Sequence, residues 1–138
     1  MVEEVLVKGE LSSEEINVGE NLLRRLDMAK ADVIAAYWIF NPEVGTWRLE
    51  FVSPQVESKG PLKFYSLVYE LLDAEPKLRS RLGFGFISVL GPKYSFYKSL
   101  ISAIKCKKEL MNTQLNRCIV DGQLVDLYIY RLSPNRGS

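Results

Sequence analysis

The chain has 138 residues, 47% of them hydrophobic and 25% charged, with a formal net charge of +1. This length and composition predict one folded domain with a single core and exclude an intrinsically disordered chain. No apolar run approaches the length of a transmembrane helix and the acidic N-terminus is unlike a secretory signal, so we expect no membrane association and a cytoplasmic location.

The cysteines and the missing histidine restrict the possible chemistry. Cys106 and Cys118 are the only cysteines, they do not form a CxxC pair, and the sequence contains no histidine. We therefore expect two reduced thiols, no metal site and no cofactor, and an enzymatic role is disfavoured. The single domain is predicted to span residues 1–136, and residues 137–138 are interpreted as a cloning scar.

The first predicted element is a helix. Ser12 followed by Glu15 is a capping-box pattern, and apolar residues recur after it at helical spacing. Together they predict an amphipathic helix over roughly 13–30.

A hairpin is predicted next. The run 33–40 is apolar at alternating positions on both faces, which is typical of a central strand covered on each side. Turn residues at 41–45 lead into 46–53, which alternates, with Arg48 and Glu50 opposite its apolar face. We expect this second strand to be half exposed and to lie toward an edge of the sheet.

The second half of the chain adds two helices and three strands. Gly60-Pro61 opens a helix that Pro76 ends, 83–90 is a strand, and a third helix runs over about 94–110. Asp121-Gly122 between two apolar runs predicts a tight final hairpin. The order α-β-β-α-β-α-β-β predicts an α+β domain with a mixed, largely antiparallel five-stranded sheet and three helices.

Charge is segregated along the chain. The 33 residues between Glu75 and Glu109 contain no acidic residue and eight basic ones, whereas the rest has seventeen acidic residues against ten basic. The segment is therefore +8 and the remainder −7, which favours an anionic partner. The alternative is that the cations lie scattered on a solvated face or neutralise the acidic remainder. The basic residues are Lys77, Arg79, Arg81, Lys93, Lys98, Lys105, Lys107 and Lys108.

Within this segment, Gly83 to Val89 (GFGFISV) resembles the signature aromatic strand of the RNA recognition motif. In that family alternate aromatic residues on an open sheet face stack unpaired bases, which implies such a role for Phe84 and Phe86. The chain departs from the pattern at Leu82, where the motif has a cation, and at Val89, where it has an aromatic residue. A helix also precedes this strand, where that family has a hairpin.

Two further surfaces are candidates for a protein partner. Ser95, Ser99 and Ser102 follow one another on one side of the third helix, where small side chains would let another backbone approach. Tyr128 and Tyr130 share one face of the last strand and would form an amphipathic aromatic surface. The alternatives are an exposed serine stripe and a core strand whose tyrosine hydroxyls are satisfied.

These patterns favour a non-enzymatic protein-interaction or self-associating module. The alternative is binding of single-stranded RNA or DNA through the basic segment 77–108, and a small enzyme of unknown reaction comes third. Asp126 is a lone carboxylate in an apolar strand, and we expect it to face solvent or lie at an edge.

Overall fold

The computed structural model describes residues 11–43, 45–76, 86–104 and 110–134. These residues form four helices and five strands, which confirms the predicted α+β class and element order with one helix added. In chain order the elements are α1 (Ser13–Met28), β1 (Ala35–Asn41), β2 (Thr46–Val52), α2 (Pro54–Lys59), α3 (Pro61–Asp73), β3 (Ile87–Leu90), α4 (Ser95–Ile104), β4 (Leu110–Val120) and β5 (Gln123–Leu132).

Local sequence signals explain where the helices begin. The Ser12 hydroxyl accepts the backbone N–H of Glu15 at 3.0 Å, and the Glu15 carboxylate accepts the backbone N–H of Ser12 at 3.0 Å, so the capping box is formed. The additional helix α2 begins in a similar way, because Ser53 caps it and Pro54 occupies its first turn.

The sheet has the strand order β3-β2-β1-β5-β4. β1 pairs antiparallel with β2 and β5, β5 pairs antiparallel with β4, and β2 pairs parallel with β3. The sheet is therefore mixed and largely antiparallel, with β1 at its centre, as predicted. β2 lies one strand in from the edge, because β3 returns beside it after the crossover through α2 and α3.

Three of the four described helices cover one face of the sheet. Leu22 of α1, Val56 of α2 and Phe64 of α3 are buried in one cluster with Trp38 of β1 and Phe51 of β2. Burial of these apolar side chains provides most of the driving force for folding on this side.

The opposite face is covered by α4 among the described residues. Phe96, Tyr97 and Leu100 of α4 are buried there with Tyr37 of β1 and Leu127 of β5. A helix is about 10 Å across and strands lie about 4.8 Å apart, so one helix covers only part of a five-stranded sheet. None of the elements described above covers the side of this face over the start of β2, where Thr46 is exposed and Arg48 is half-buried.

A buried hydrogen-bond chain joins the sheet to α1. The Trp38 indole N–H donates to the Tyr130 hydroxyl at 2.8 Å, and that hydroxyl donates to the Ile16 carbonyl at 2.6 Å. Gly19 of α1 packs directly on this chain, and a Cβ atom at that position would overlap the Tyr130 hydroxyl. The close approach of helix and sheet therefore requires glycine at position 19.

Gly19→Ala is expected to lower the free energy of unfolding by about 1–3 kcal/mol, because overpacking against Tyr130 outweighs the roughly 1 kcal/mol gained in helix propensity. Chemical denaturation measures the effect, with Asn17→Ala at an exposed position of the same helix as the control. A Gly19→Ala protein as stable as the wild type would show that Tyr130 does not pack against α1 in this way.

Candidate functional site

The basic segment is only partly covered by the described residues. Lys93 and Lys98 are exposed, and Phe86, just before β3, has 46% of its surface exposed. The remaining candidates for this surface lie outside the described residues, so a single cationic patch stays a prediction. They are Lys77, Arg79, Arg81, Phe84 and Lys105.

Two of the three candidate serines contact the final hairpin. The hydroxyls of Ser95 and Ser99 lie 3.4 and 3.3 Å from the carboxylate oxygens of Asp121 in the β4–β5 turn. Ser102 is exposed one turn further along α4. The serine side of α4 is thus partly engaged within the chain, at the turn that Asp121 and Gly122 form.

The two tyrosines of β5 differ in exposure. Tyr130 is only 3% exposed, and its hydroxyl binds Ile16 and Trp38. Tyr128 is half-buried and packs edge-on against the Tyr130 ring, with the ring centroids 5.2 Å apart. Tyr130 therefore belongs to the core, and only Tyr128 of the pair reaches the surface.

β4 forms one edge of the sheet. It is eleven residues long, and among the described residues no strand pairs with its outer side. Ile119 is 72% exposed and lies directly opposite Leu124, which is also exposed, while Met111 near the other end is 54% exposed. Apolar side chains therefore lie at both ends of this edge, which we call the β4 edge.

Asp126 explains an irregularity in the β4 edge. Its carboxylate accepts the backbone N–H of Arg117 at 2.7 Å, where the β4–β5 register shifts between Leu115 and Cys118. Asp126 is buried, so the expectation that it faces solvent is wrong. A buried carboxylate here satisfies a donor that the bulge removes from the regular ladder.

The open part of the α4 face contains a cleft of about 290 Å³. The sheet supplies its floor, the first turn of α4 one wall, and the β4–β5 turn one end. We call this cavity the Glu50 cleft. The residues that line it are Ile39, Asn41, Thr46, Arg48, Glu50, Tyr94, Ser95, Phe96, Asp121 and Gln123.

Glu50 is the most unusual residue of this cleft. Only 5% of its surface is exposed, and its carboxylate accepts hydrogen bonds from the Tyr37 hydroxyl at 2.8 Å and from Tyr94. Burial raises the pKa of Glu50, against the opposing effects of the Tyr37 hydrogen bond, the Arg48 charge and the Tyr94 hydrogen bond. Burial beside this carboxylate also raises the pKa of Tyr94 to about 12, so its hydroxyl stays protonated at neutral pH and donates a hydrogen bond to Glu50.

The prediction of a half-exposed β2 is wrong at Glu50. Alternation along the strand correctly placed Arg48 and Glu50 opposite Leu49 and Phe51, but the second face is also covered, by the start of α4. Strand alternation shows which residues share a face, and it does not show whether a distant helix packs on that face. No local signal in β2 identifies the pairing with Tyr37 and Tyr94.

The described residues thus define an α+β domain with helices on both faces of a mixed sheet. Comparison with known proteins finds no matching family model, no matching curated protein and no matching solved structure. Within the described ranges, no helix combines the length and the apolar character needed to cross a bilayer.

The raised pKa of Glu50 predicts that burying this residue lowers the stability of the fold by an amount that depends on pH. As pH rises above about 4.5, Glu50 ionises freely in the unfolded chain but not in the folded one, so the free energy of unfolding falls until pH passes the folded pKa of Glu50. Above that pH the loss of stability stays constant. The free energy of unfolding of Glu50→Gln relative to the wild type should therefore increase from about pH 4 to pH 8.

Urea denaturation across this pH range measures the difference, and Glu43→Gln, at an exposed position of the β1–β2 turn, is the control. The control variant should change the free energy of unfolding by the same amount at every pH. If the change caused by Glu50→Gln is equally independent of pH, position 50 does not hold a desolvated carboxylate.

Proposed function

We propose that this chain is a non-enzymatic protein-interaction module that associates with a second copy of itself through the β4 edge. The observation that carries the proposal is the outer side of β4, an eleven-residue strand without a neighbouring strand among the described residues. An unpaired strand presents a row of N–H and C=O groups that a second strand can pair with.

The composition of β4 supports this role. Natural edge strands are usually protected by lysine, proline or acidic side chains, or by being short. The segment Leu110–Val120 contains no proline, lysine or acidic residue, and its one charged residue is Arg117. The bulge at Arg117 is its main protective feature, and it leaves the exposed apolar side chains Met111 and Ile119 at the two ends.

A two-fold arrangement uses both ends of the strand. Antiparallel pairing of β4 with the same strand of a second copy brings Ile119 of one chain toward Met111 of the other. Such an interface is self-complementary, because each copy supplies the same patch. The exposed Leu124 beside Ile119 extends the apolar contact.

The proposed location of the module is the cytoplasm, which agrees with the free thiol of Cys118.

Self-association predicts a mass that rises with protein concentration in sedimentation. Ile119→Lys should weaken the association at least tenfold, because a charge at this position opposes the apolar contact and the edge pairing. The matched control is Leu62→Lys on α3, since Leu62 is 79% exposed and lies away from β4. The proposal fails if the wild type stays monomeric at high concentration, or if Ile119→Lys associates as tightly as Leu62→Lys.

Binding of single-stranded nucleic acid is the alternative, and the exposure of Phe86, Lys93 and Lys98 is compatible with it. It predicts retention of single-stranded RNA at low salt that falls steeply as salt rises, and weaker binding when Lys98 and Lys105 are both changed to Ala. The control changes the exposed Lys59 and Lys63 to Ala instead. Equal effects of the two double variants, or no retention at low salt, would exclude a specific role for the basic segment.

A further inference from the structure

The Glu50 cleft contains two opposite charges that do not pair with each other. Arg48 and Glu50 lie on the same face of β2, two residues apart, and no ion pair within 4.0 Å joins them. One Nη atom of Arg48 donates to the Ser88 hydroxyl at 3.0 Å instead. The Glu50 carboxylate takes its hydrogen bonds from the hydroxyls of Tyr37 and Tyr94. The hydrogen bonds of each charged group thus go to neutral hydroxyls, while the Arg48 charge acts on Glu50 from a longer distance.

This arrangement leaves both charges able to take an opposite charge from a ligand. A guanidinium has five N–H donors, so the bond to Ser88 leaves others that suit a carboxylate. A carboxylate removed from water gains more from a nearby cation than from hydroxyl groups alone. Asp121 adds a second carboxylate at the far end of the cleft, where it is exposed.

The combination selects against ligands with a single kind of charge. A simple cation would be attracted by Glu50 and Asp121 but repelled by Arg48, and a simple anion would meet the two carboxylates. A molecule that carries both charges a few ångströms apart satisfies both sides, since residues two apart on a strand are separated by about 6.6 Å.

The size of the cleft limits the ligand further. A volume of about 290 Å³ is at the lower end of the range of roughly 300–1,000 Å³ for ligand pockets, and it suits a small ligand. The side chains of Ile39, Tyr94 and Phe96 provide apolar surface for a short carbon skeleton.

We propose that the Glu50 cleft binds a small zwitterion of the amino acid class. Its ammonium group lies between Glu50 and Asp121, and its carboxylate pairs with Arg48. This site is separate from the β4 edge, and the proposal does not depend on self-association.

The first test screens the full chain against the twenty standard L-amino acids at millimolar concentrations, by thermal unfolding and then by calorimetry. At least one amino acid should raise the unfolding temperature in a concentration-dependent way, because ligand binding stabilises the folded state. The matched amine without the carboxylate and the matched acid without the amino group should each bind at least about tenfold more weakly. A panel without any binder overturns the proposal, and so does an equally tight amine or acid.

The second test locates the site. Arg48→Gln and Glu50→Gln should each raise the Kd of that amino acid at least about tenfold, whereas Arg24→Gln, at an exposed position of α1, should leave it unchanged. Circular dichroism confirms that each variant is folded. If Glu50→Gln does not fold, the Kd of Arg48→Gln, a change at a half-buried position, shows whether the ligand binds in the cleft. Wild-type affinity in Arg48→Gln would show that the ligand binds elsewhere and would overturn the proposal.

Discussion

The need to shield β1 on both faces governs the arrangement of the whole domain. Residues 35–40 are all buried, and the side chains point alternately to the two sides of the sheet. Three helices cover one side, but among the described residues only the ten-residue α4 covers the other. A single helix cannot cover five strands. On this second side α4 therefore packs over the middle of the sheet and leaves a margin over the start of β2 that no described helix covers. The Glu50 cleft lies in that margin.

Tyrosine hydroxyls satisfy several buried polar groups in this core. Tyr130 accepts from the Trp38 indole, Tyr37 donates to Glu50, and Tyr97 donates to the Ser133 carbonyl at 2.6 Å. Each ring adds apolar area to the core while its hydroxyl reaches a polar atom that would otherwise be costly to bury. The tyrosines therefore join helices, strands and the chain's end segment to the sheet through specific contacts.

The sequence predicts those features of the fold that depend on neighbouring residues. The capping box at Ser12, the apolar run of β1 and the turn at Asp121-Gly122 all act locally, and each is found in the structure. Helix α2 could have been predicted as well, because Ser53 before Pro54 is a helix-start signal. The boundary of the last helix was less well predicted, since Leu110 already belongs to β4.

The candidate site could not be predicted in the same way, because its parts meet only in the folded chain. Glu50 alternates with Leu49 and Phe51 as any solvent-facing residue of a strand would. Its burial depends on Tyr94, which is 44 positions away and reaches the carboxylate only because α4 starts over β2. Asp126 is a similar case, since a bulge in the neighbouring strand is what gives its buried carboxylate a backbone donor.

The two buried carboxylates differ in what their positions require. At Asp126 the acceptor has a structural task, since without it the N–H of Arg117 would lose its partner. At Glu50 the two hydrogen-bond donors, Tyr37 and Tyr94, are both tyrosine hydroxyls, and a neutral glutamine oxygen could accept these hydrogen bonds without the cost of burying a charge. Packing and hydrogen bonding alone therefore do not account for an ionisable group at this position. The charge of Arg48 offsets part of the cost of burying Glu50, and the ammonium group of the ligand that we propose for this cleft would offset more of it.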